Sequence, residues 1–379
     1  MEIYLESIKT AILLFPFLAF LITIPYLIFQ YRKYGSVPLI RSVIIYTFIL
    51  YLLAAYFLVI LPLPTREAVA IMAPKTPQLI PFSFLADFID AIKTSNNLSF
   101  FTAPIVYTIL FNLLLTFPFG VYLRYYFKKK WYFIIPATLG LSLFFELTQL
   151  TGLYGIYDKA YRLFDVDDLI INTLGGFLGY LFTPIITILL PKRDKIDEIS
   201  YLKGKTVSIY RRFLAFLVDL FFFMIIFFIT ILISRNNNYY LLTFILILIY
   251  YVIIPIFTKT TIGKLVVKIK LLSTAKYPVL AIFIRQALLY FLIVFGPVFF
   301  INYLNYLPDF IILLYALFLI YSYFTIFIRF LGYKKPLFYE HLTKTENISM
   351  ISYTPKSSQK KENMVNYTIS EEEDNESGN

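Results

Sequence analysis

The chain has 379 residues, of which 59% are hydrophobic, 20% aromatic and 15% charged, with a formal net charge of +11 and no cysteine; its mean hydropathy is +0.75. Soluble chains carry about 25% charged residues, so a soluble enzyme is excluded, and no cysteine with a single histidine, His341, removes disulfides, thiolate catalysis and zinc or haem sites. Basic residues stand in short runs between apolar segments, which makes them orientation signals and not a nucleic-acid surface.

Nine apolar stretches approach the roughly 20 residues that a bilayer crossing needs: 8 to 31, 41 to 61, 104 to 125, 131 to 150, 166 to 190, 213 to 233, 240 to 257, 280 to 301 and 309 to 329. The expected fold is an all-α integral membrane protein of about nine transmembrane helices, multi-pass in the lipid bilayer of a bacterial cell membrane. The first stretch follows Glu2, Glu6 and a single Lys9 rather than a basic start, so it reads as a retained span and not a cleaved signal.

Lysine and arginine alternate between connections. Arg32, Lys33 and Arg41 follow span one; Arg124 and Lys128 to Lys130 follow span three; basic residues from Lys192 to Arg212 follow span five, and Lys259 to Lys276 follow span seven. The other connections are poor in positive charge, with Lys159 and Arg162 in one and Arg235 in another. That asymmetry predicts an outside N-terminus and a cytoplasmic C-terminus. Within the long outer segment 62 to 103, Leu85, Phe88, Ile89 and Ile92 recur at helical spacing opposite Asp87, Asp90 and Lys93. This predicts a short amphipathic helix, either on the membrane surface or packed on the bundle.

Span four carries Ser142, Glu146 and Gln149 on one face. Glu146 lies four residues from Leu150 at the span's end, roughly 6 Å deep at ~1.5 Å per residue. On span five, Asp165, Asp168, Asn172, Gly175 and Gly179 form one stripe, with Gly176 beside it. Gly175 and Gly179 make a small-xxx-small pair that lets another helix come close, expected to be span four. Two readings of these polar groups stand. In one, an aspartate caps span five, and Glu146 and Asn172 bond each other to fix packing. In the other, a pocket of Ser142, Glu146, Gln149, Arg162, Asp165, Asp168 and Asn172 opens to the outside and holds a polar ligand or cation.

The stretches SLFFELTQL (142 to 150), Arg162 and DVDDLIINTLGGFLGYL (165 to 181), preceded in order by IPF (80 to 82), Asn112 and FPFG (117 to 120), resemble the VanZ-like family of membrane proteins over about 50 to 185. The resemblance implies a small helical membrane domain and a link to glycopeptide resistance, teicoplanin in particular. It supplies no residue-by-residue chemistry.

The link 191 to 210 is polar and charged and is the expected cytoplasmic boundary between a five-span domain, 1 to 190, and a four-span domain, 211 to 350. In RRFLAFLVD (211 to 219), Asp219 lies two turns inward of Arg212 on the same face. It needs a partner, and Arg285 at the entrance of span eight is expected, with Arg212 second. The spacing Arg-x-x-Ala-x-x-x-Asp, followed by TKTTIGKLVVKIKLL (258 to 272), resembles the RDD family over about 208 to 348, with Glu340 of YEHLTKT standing where that family usually has an aspartate. The resemblance implies an association with transport, including cation exchange. A structural ion pair among Arg212, Asp219, Arg285 and Glu340 is the competing reading. TIGK lacks the flanking glycine of a phosphate-binding loop. The tail, 351 to 379, lacks apolar content and is expected to be disordered.

The expected function is non-enzymatic: an outward-facing pocket that lowers susceptibility to a glycopeptide antibiotic, with the antibiotic, a cell-wall precursor or a small cation as partner, and no cofactor or metal. The alternatives are a cation or proton-coupled transporter and a membrane enzyme acting on lipid-linked cell-wall precursors. Transport has against it that no span carries a visible mid-membrane break; enzymatic chemistry has against it that no nucleophile or metal set is visible.

Overall fold

The computed structural model describes residues 2–94, 103–234, 239–301, 306–332 and 335–352. Arg235 and, from 353 onward, the tail expected to be disordered lie outside the described residues. The chain divides into two compact units, Met1–Thr23 with Leu39–Ile196, and Ile24–Pro38 with Asp197–Asn379.

The first unit takes the start of α1 (Glu2–Tyr34), then α2 (Leu39–Ile60), the short α3 (Arg66–Ile71), α4 (Phe84–Thr94), α5 (Pro104–Tyr125), α6 (Trp131–Leu150), the single turn α7 (Gly152–Gly155) and α8 (Val166–Ile186). Local chemistry marks their ends. Pro104 opens α5, where its missing N–H costs nothing. Asp165 caps α8 by accepting the Asp167 N–H at 2.8 Å. The expected amphipathic helix forms as α4, and it leaves Leu85, Ile89 and Ile92 exposed while Phe88 is half-buried.

The closest helix pair is α5 with α8, and glycine is the reason. A Cβ on Gly175 would lie 2.3 Å from the Leu113 carbonyl oxygen, and one on Gly179 would lie 2.0 Å from that of Phe117. In the reverse direction, a Cβ on Gly120 would lie 1.9 Å from the Gly176 oxygen. Two backbones in direct contact pack tightly without any water to drive them together. Gly175 and Gly179 therefore serve the approach of span three, not of span four as expected; only Gly176 meets span four, against the Thr138 side chain.

The second unit contains most of α9 (Arg193–Gly204), then α10 (Ile209–Ser234) and α11 (Tyr239–Ile247), which runs through a π-helical segment, Leu248–Ile253, into α12 (Ile254–Thr258). After α13 (Ile262–Val266) and strand β1 (Ile269–Ser273) come α14 (Pro278–Gln286), a second π-helical segment, Ala287–Val294, and α15 (Gly296–Ile301). The unit closes with α16 (Asp309–Phe330), α17 (Phe338–Thr343) and strand β2 (Thr345–Ser349). The two π-helical segments meet through Tyr251 and Tyr290, whose rings stack with centroids 4.2 Å apart.

Residues 269 to 273 and 345 to 349 pair as an antiparallel two-stranded sheet, Ile269 opposite Ser349 and Ser273 opposite Thr345, so the described chain is mostly but not wholly helical. The strands form because Ile269 and Leu271 alternate with Lys270 and Leu272 between buried and exposed faces. Among the described residues eight helices are long and apolar enough to cross a membrane. The eighth expected span, 280 to 301, is a shorter apolar helix, Pro278–Val294, broken before Gly296. Pro297 lacks an N–H and so cannot donate to the carbonyl one turn back, and α15 starts afresh with this proline in its first turn. The expectation of unbroken spans fails at this position.

Candidate functional site

α8 carries its polar residues on different sides of its first turn, since each residue advances about 100° around a helix. Asp167 points to the segment before α4. Its Oδ1 accepts the Phe82 N–H at 2.6 Å, and its Oδ2 accepts the Ser83 hydroxyl at 2.6 Å and the Phe84 N–H at 2.9 Å. Gln78 joins by backbone, donating to the Phe164 carbonyl at 2.8 Å and accepting from Val166 N–H at 3.1 Å. Asp167 thus latches the start of α4 to the start of α8, and it is a residue that the sequence reading left out of the site.

Asp168, one position on, turns instead to α5 and α6. Its Oδ1 accepts the side-chain amide of Asn112. Below it the Asn172 amide donates to Ser142 Oγ at 2.8 Å, and Thr116 Oγ1 donates to the Asn172 carbonyl at 2.6 Å. Glu146 Oε2 accepts the Asp165 N–H at 3.0 Å. The expected bond between Glu146 and Asn172 is replaced, because Ser142, also on α6, stands closer to the asparagine and satisfies its amide. Burial pushes the Asp165 carboxyl above its ordinary range, although it accepts the Asp167 N–H.

These groups face a cavity of about 880 Å³ between α2, α5, α6 and α8. Its polar wall includes Asn112, Glu146, Gln149, Arg162, Asp168 and Asn172. Glu146 and Asn172 are each only 4% exposed. Of the expected pocket residues, Ser142 and Asp165 are not on the wall; they hold Asn172 and the Glu146 carboxylate from behind. Arg162 makes no ion pair among the described contacts. Its guanidinium donates to the Val59 carbonyl at 2.6 Å and the Leu61 carbonyl at 3.2 Å, closing the end of α2, beside Gln149, which donates to Val59 at 2.9 Å. Asn112 was legible as a wall residue: with Thr116 and Gly120 it makes a polar and small stripe at four-residue spacing on an otherwise apolar helix.

The second unit gathers its charges differently from the expectation. Asp219 pairs with neither Arg285 nor Arg212. Its oxygens accept the Tyr250 hydroxyl at 2.9 Å, the Thr261 hydroxyl at 2.6 Å and the Gly263 N–H at 2.7 Å. Gly263 can donate because it lies against α10, where a Cβ would sit 1.9 Å from the Ala215 oxygen. Three neutral donors satisfy the carboxylate, so the arginines are left for Glu340. Arg212 reaches Glu340 at 2.6 Å, Arg285 at 3.2 Å and Arg329 at 3.3 Å. Burial alone would raise the Glu340 carboxyl, but the three guanidinium groups hold it below its ordinary range. Arg211, missed in the sequence, is fully buried and donates to the backbone oxygens of Val267 and Lys268 at 2.8 and 2.7 Å. Lys264 is also enclosed, with its Nζ lacking a hydrogen-bond partner, and burial pushes its ammonium down to about 7.

Among the described residues no three of His, Cys, Asp and Glu are grouped to hold a metal ion. Residues 48–190 match the VanZ/LLP1 family model, a stretch that contains the whole wall of the cavity. No curated protein matches the chain, and no solved structure does.

Proposed function

We propose that this chain is a multi-pass membrane protein of the VanZ type whose first unit binds an extracytoplasmic ligand in the cavity between α2, α5, α6 and α8, and so lowers susceptibility to a glycopeptide antibiotic of the teicoplanin kind. The observation that carries the reading is that two carboxylates, Glu146 and Asp168, and the buried Asn172 line one cavity inside the segment that matches VanZ/LLP1. Ionisable groups within apolar helices are costly to keep, and a ligand site is their usual reason. With the orientation that the basic loops favour, the cavity lies near the outer end of its helices. In a deletion strain, the wild-type gene should restore tolerance to the antibiotic, and Glu146→Gln or Asp168→Asn should fail to do so at unchanged protein abundance. Full restoration by both variants would sink the reading.

A second reading, cation transport through the second unit, draws on the likeness of residues 208 to 348 to the RDD family and on one observation, the break before Gly296 in an apolar helix. Broken helices expose backbone groups that can coordinate an ion. Cation flux into proteoliposomes that is lost in Asp219→Asn would support it; flux no greater than in empty vesicles would end it.

A further inference from the structure

The side-chain amides and the guanidinium on the polar wall already spend N–H groups on the protein. The Asn112 amide must present its NH2 to Asp168, because a carboxylate only accepts. The Gln149 NH2 faces the Val59 carbonyl, and the Arg162 guanidinium faces Val59 and Leu61. Asn172 is fixed in the same way. The Ser142 hydroxyl gives its hydrogen to the Asp168 carbonyl at 3.4 Å, so at its other side it accepts, and the Asn172 NH2 is the group that meets it.

Three acceptors are left over. Among the described residues Asn172 Oδ1 is buried and has no hydrogen-bond partner. Glu146 takes a protein hydrogen bond on Oε2 alone, and Asp168 on Oδ1 alone, among the described residues. A buried acceptor without a donor carries a desolvation cost that a bound N–H would remove. The remainder of the wall is mainly apolar, with Leu58, Phe111, Leu115 and Phe145 beside Tyr107 and Thr108, and about 880 Å³ is far more than a bare ion occupies.

We propose that the cavity is a site for an organic amine, whose ammonium group is held by Glu146 Oε1, Asp168 Oδ2 and Asn172 Oδ1 while its apolar body lies against α2 and α5. The proposal rests on reading the cavity as a ligand site and adds the class of ligand. The ammonium supplies several N–H donors and the positive charge that two carboxylates favour. A carboxylate or phosphate ligand would meet two like charges beside the single Arg162 cation, which the Val59 and Leu61 carbonyls already engage.

The test uses the full chain purified in detergent and two probes, dansylcadaverine, which bears a primary ammonium, and its N-acetyl derivative, which does not. The amine should bind saturably, and the acetylated probe at least about tenfold more weakly. Asp168→Asn and Glu146→Gln should each weaken the amine by about tenfold without changing the acetylated probe. The ligand comparison on the wild-type protein stands even where a variant does not fold. Equal binding of both probes, no saturable binding of the amine, or displacement of the amine by sodium as readily as by methylamine would overturn the proposal. Antibiotic tolerance is measured separately in cells, so lost tolerance without amine binding defeats this proposal alone, and amine binding with unaltered tolerance defeats only the antibiotic reading.

Discussion

Asn112 on α5 donates its side-chain amide to Asp168 on α8, and this bond joins the helix pair that glycine brings into backbone contact at the wall of the cavity. Asn112→Ala removes a hydrogen bond to a charged group and should destabilise the protein by about 1.5 to 3 kcal/mol. Asn112→Gln, which keeps the amide, should recover part of the loss. Thermal denaturation in detergent checks both; equal midpoints for wild type and Asn112→Ala would show that the bond contributes nothing.

Glycine substitutions should divide sharply by position. Gly179→Ala sets a Cβ 2.0 Å from a backbone oxygen that cannot move without separating the helices, whereas a Cβ on Gly140 meets nothing within 4 Å. Overpacking of this kind costs about 1 to 3 kcal/mol or more, while alanine for glycine within a helix gains up to about 1 kcal/mol. Gly179→Ala should therefore lower the melting temperature and Gly140→Ala raise it or leave it unchanged.

Asp167→Ala should free the segment before α4 without touching the cavity wall. Three short hydrogen bonds to Phe82, Ser83 and Phe84 are lost, each worth about 1.5 to 3 kcal/mol net of the water bonds that replace them. Limited proteolysis should then cut between α3 and α4 faster than in wild type, with cleavage elsewhere unchanged. An unaltered digest would contradict the latch.

Glu340 balances three guanidinium groups in a buried setting. Glu340→Gln leaves those cations uncompensated and should cost about 3 to 5 kcal/mol. The carboxyl is held below its ordinary value of 4.5, so its contribution is complete above that value and is lost as pH falls through the folded-state one. Wild-type stability should decline on acidification below about pH 4.5, and Glu340→Gln should lose this part of the decline.

Lys264 gives the opposite sign. Its folded-state value of about 7 lies below the ordinary 10.5, so between the two the unfolded chain binds more protons and stability rises with pH. The rise should reach up to about 1.4 kcal/mol per pH unit. Lys264→Met should be more stable than wild type at neutral pH, with the difference shrinking toward pH 10.5. A difference constant with pH would mean that Lys264 stays charged in the fold.

Glu146, Gln149 and Ser142 could be read as one face of a helix, and Asp165, Asp168 and Asn172 as one stripe of another, because a helix repeats every 3.6 residues whatever surrounds it. The bases of the apolar spans and the positions of α4 and α8 were legible for the same local reason. Three tertiary facts were not. Asn172 chose Ser142 over Glu146, Gly175 and Gly179 chose α5 over α6, and Asp219 chose Thr261 and Gly263 over Arg285.

The sequence by itself determined that this is a chain of apolar helices with carboxylates set into two of its regions, since hydropathy and helical spacing are properties of neighbouring residues. Only the tertiary structure decided that Glu146 and Asp168 share a cavity with a donorless Asn172 oxygen, and that Glu340 collects three arginines. The rotation of each helix about its axis and its depth against its neighbours select among partners of equal chemistry, and those depend on residues tens of positions apart.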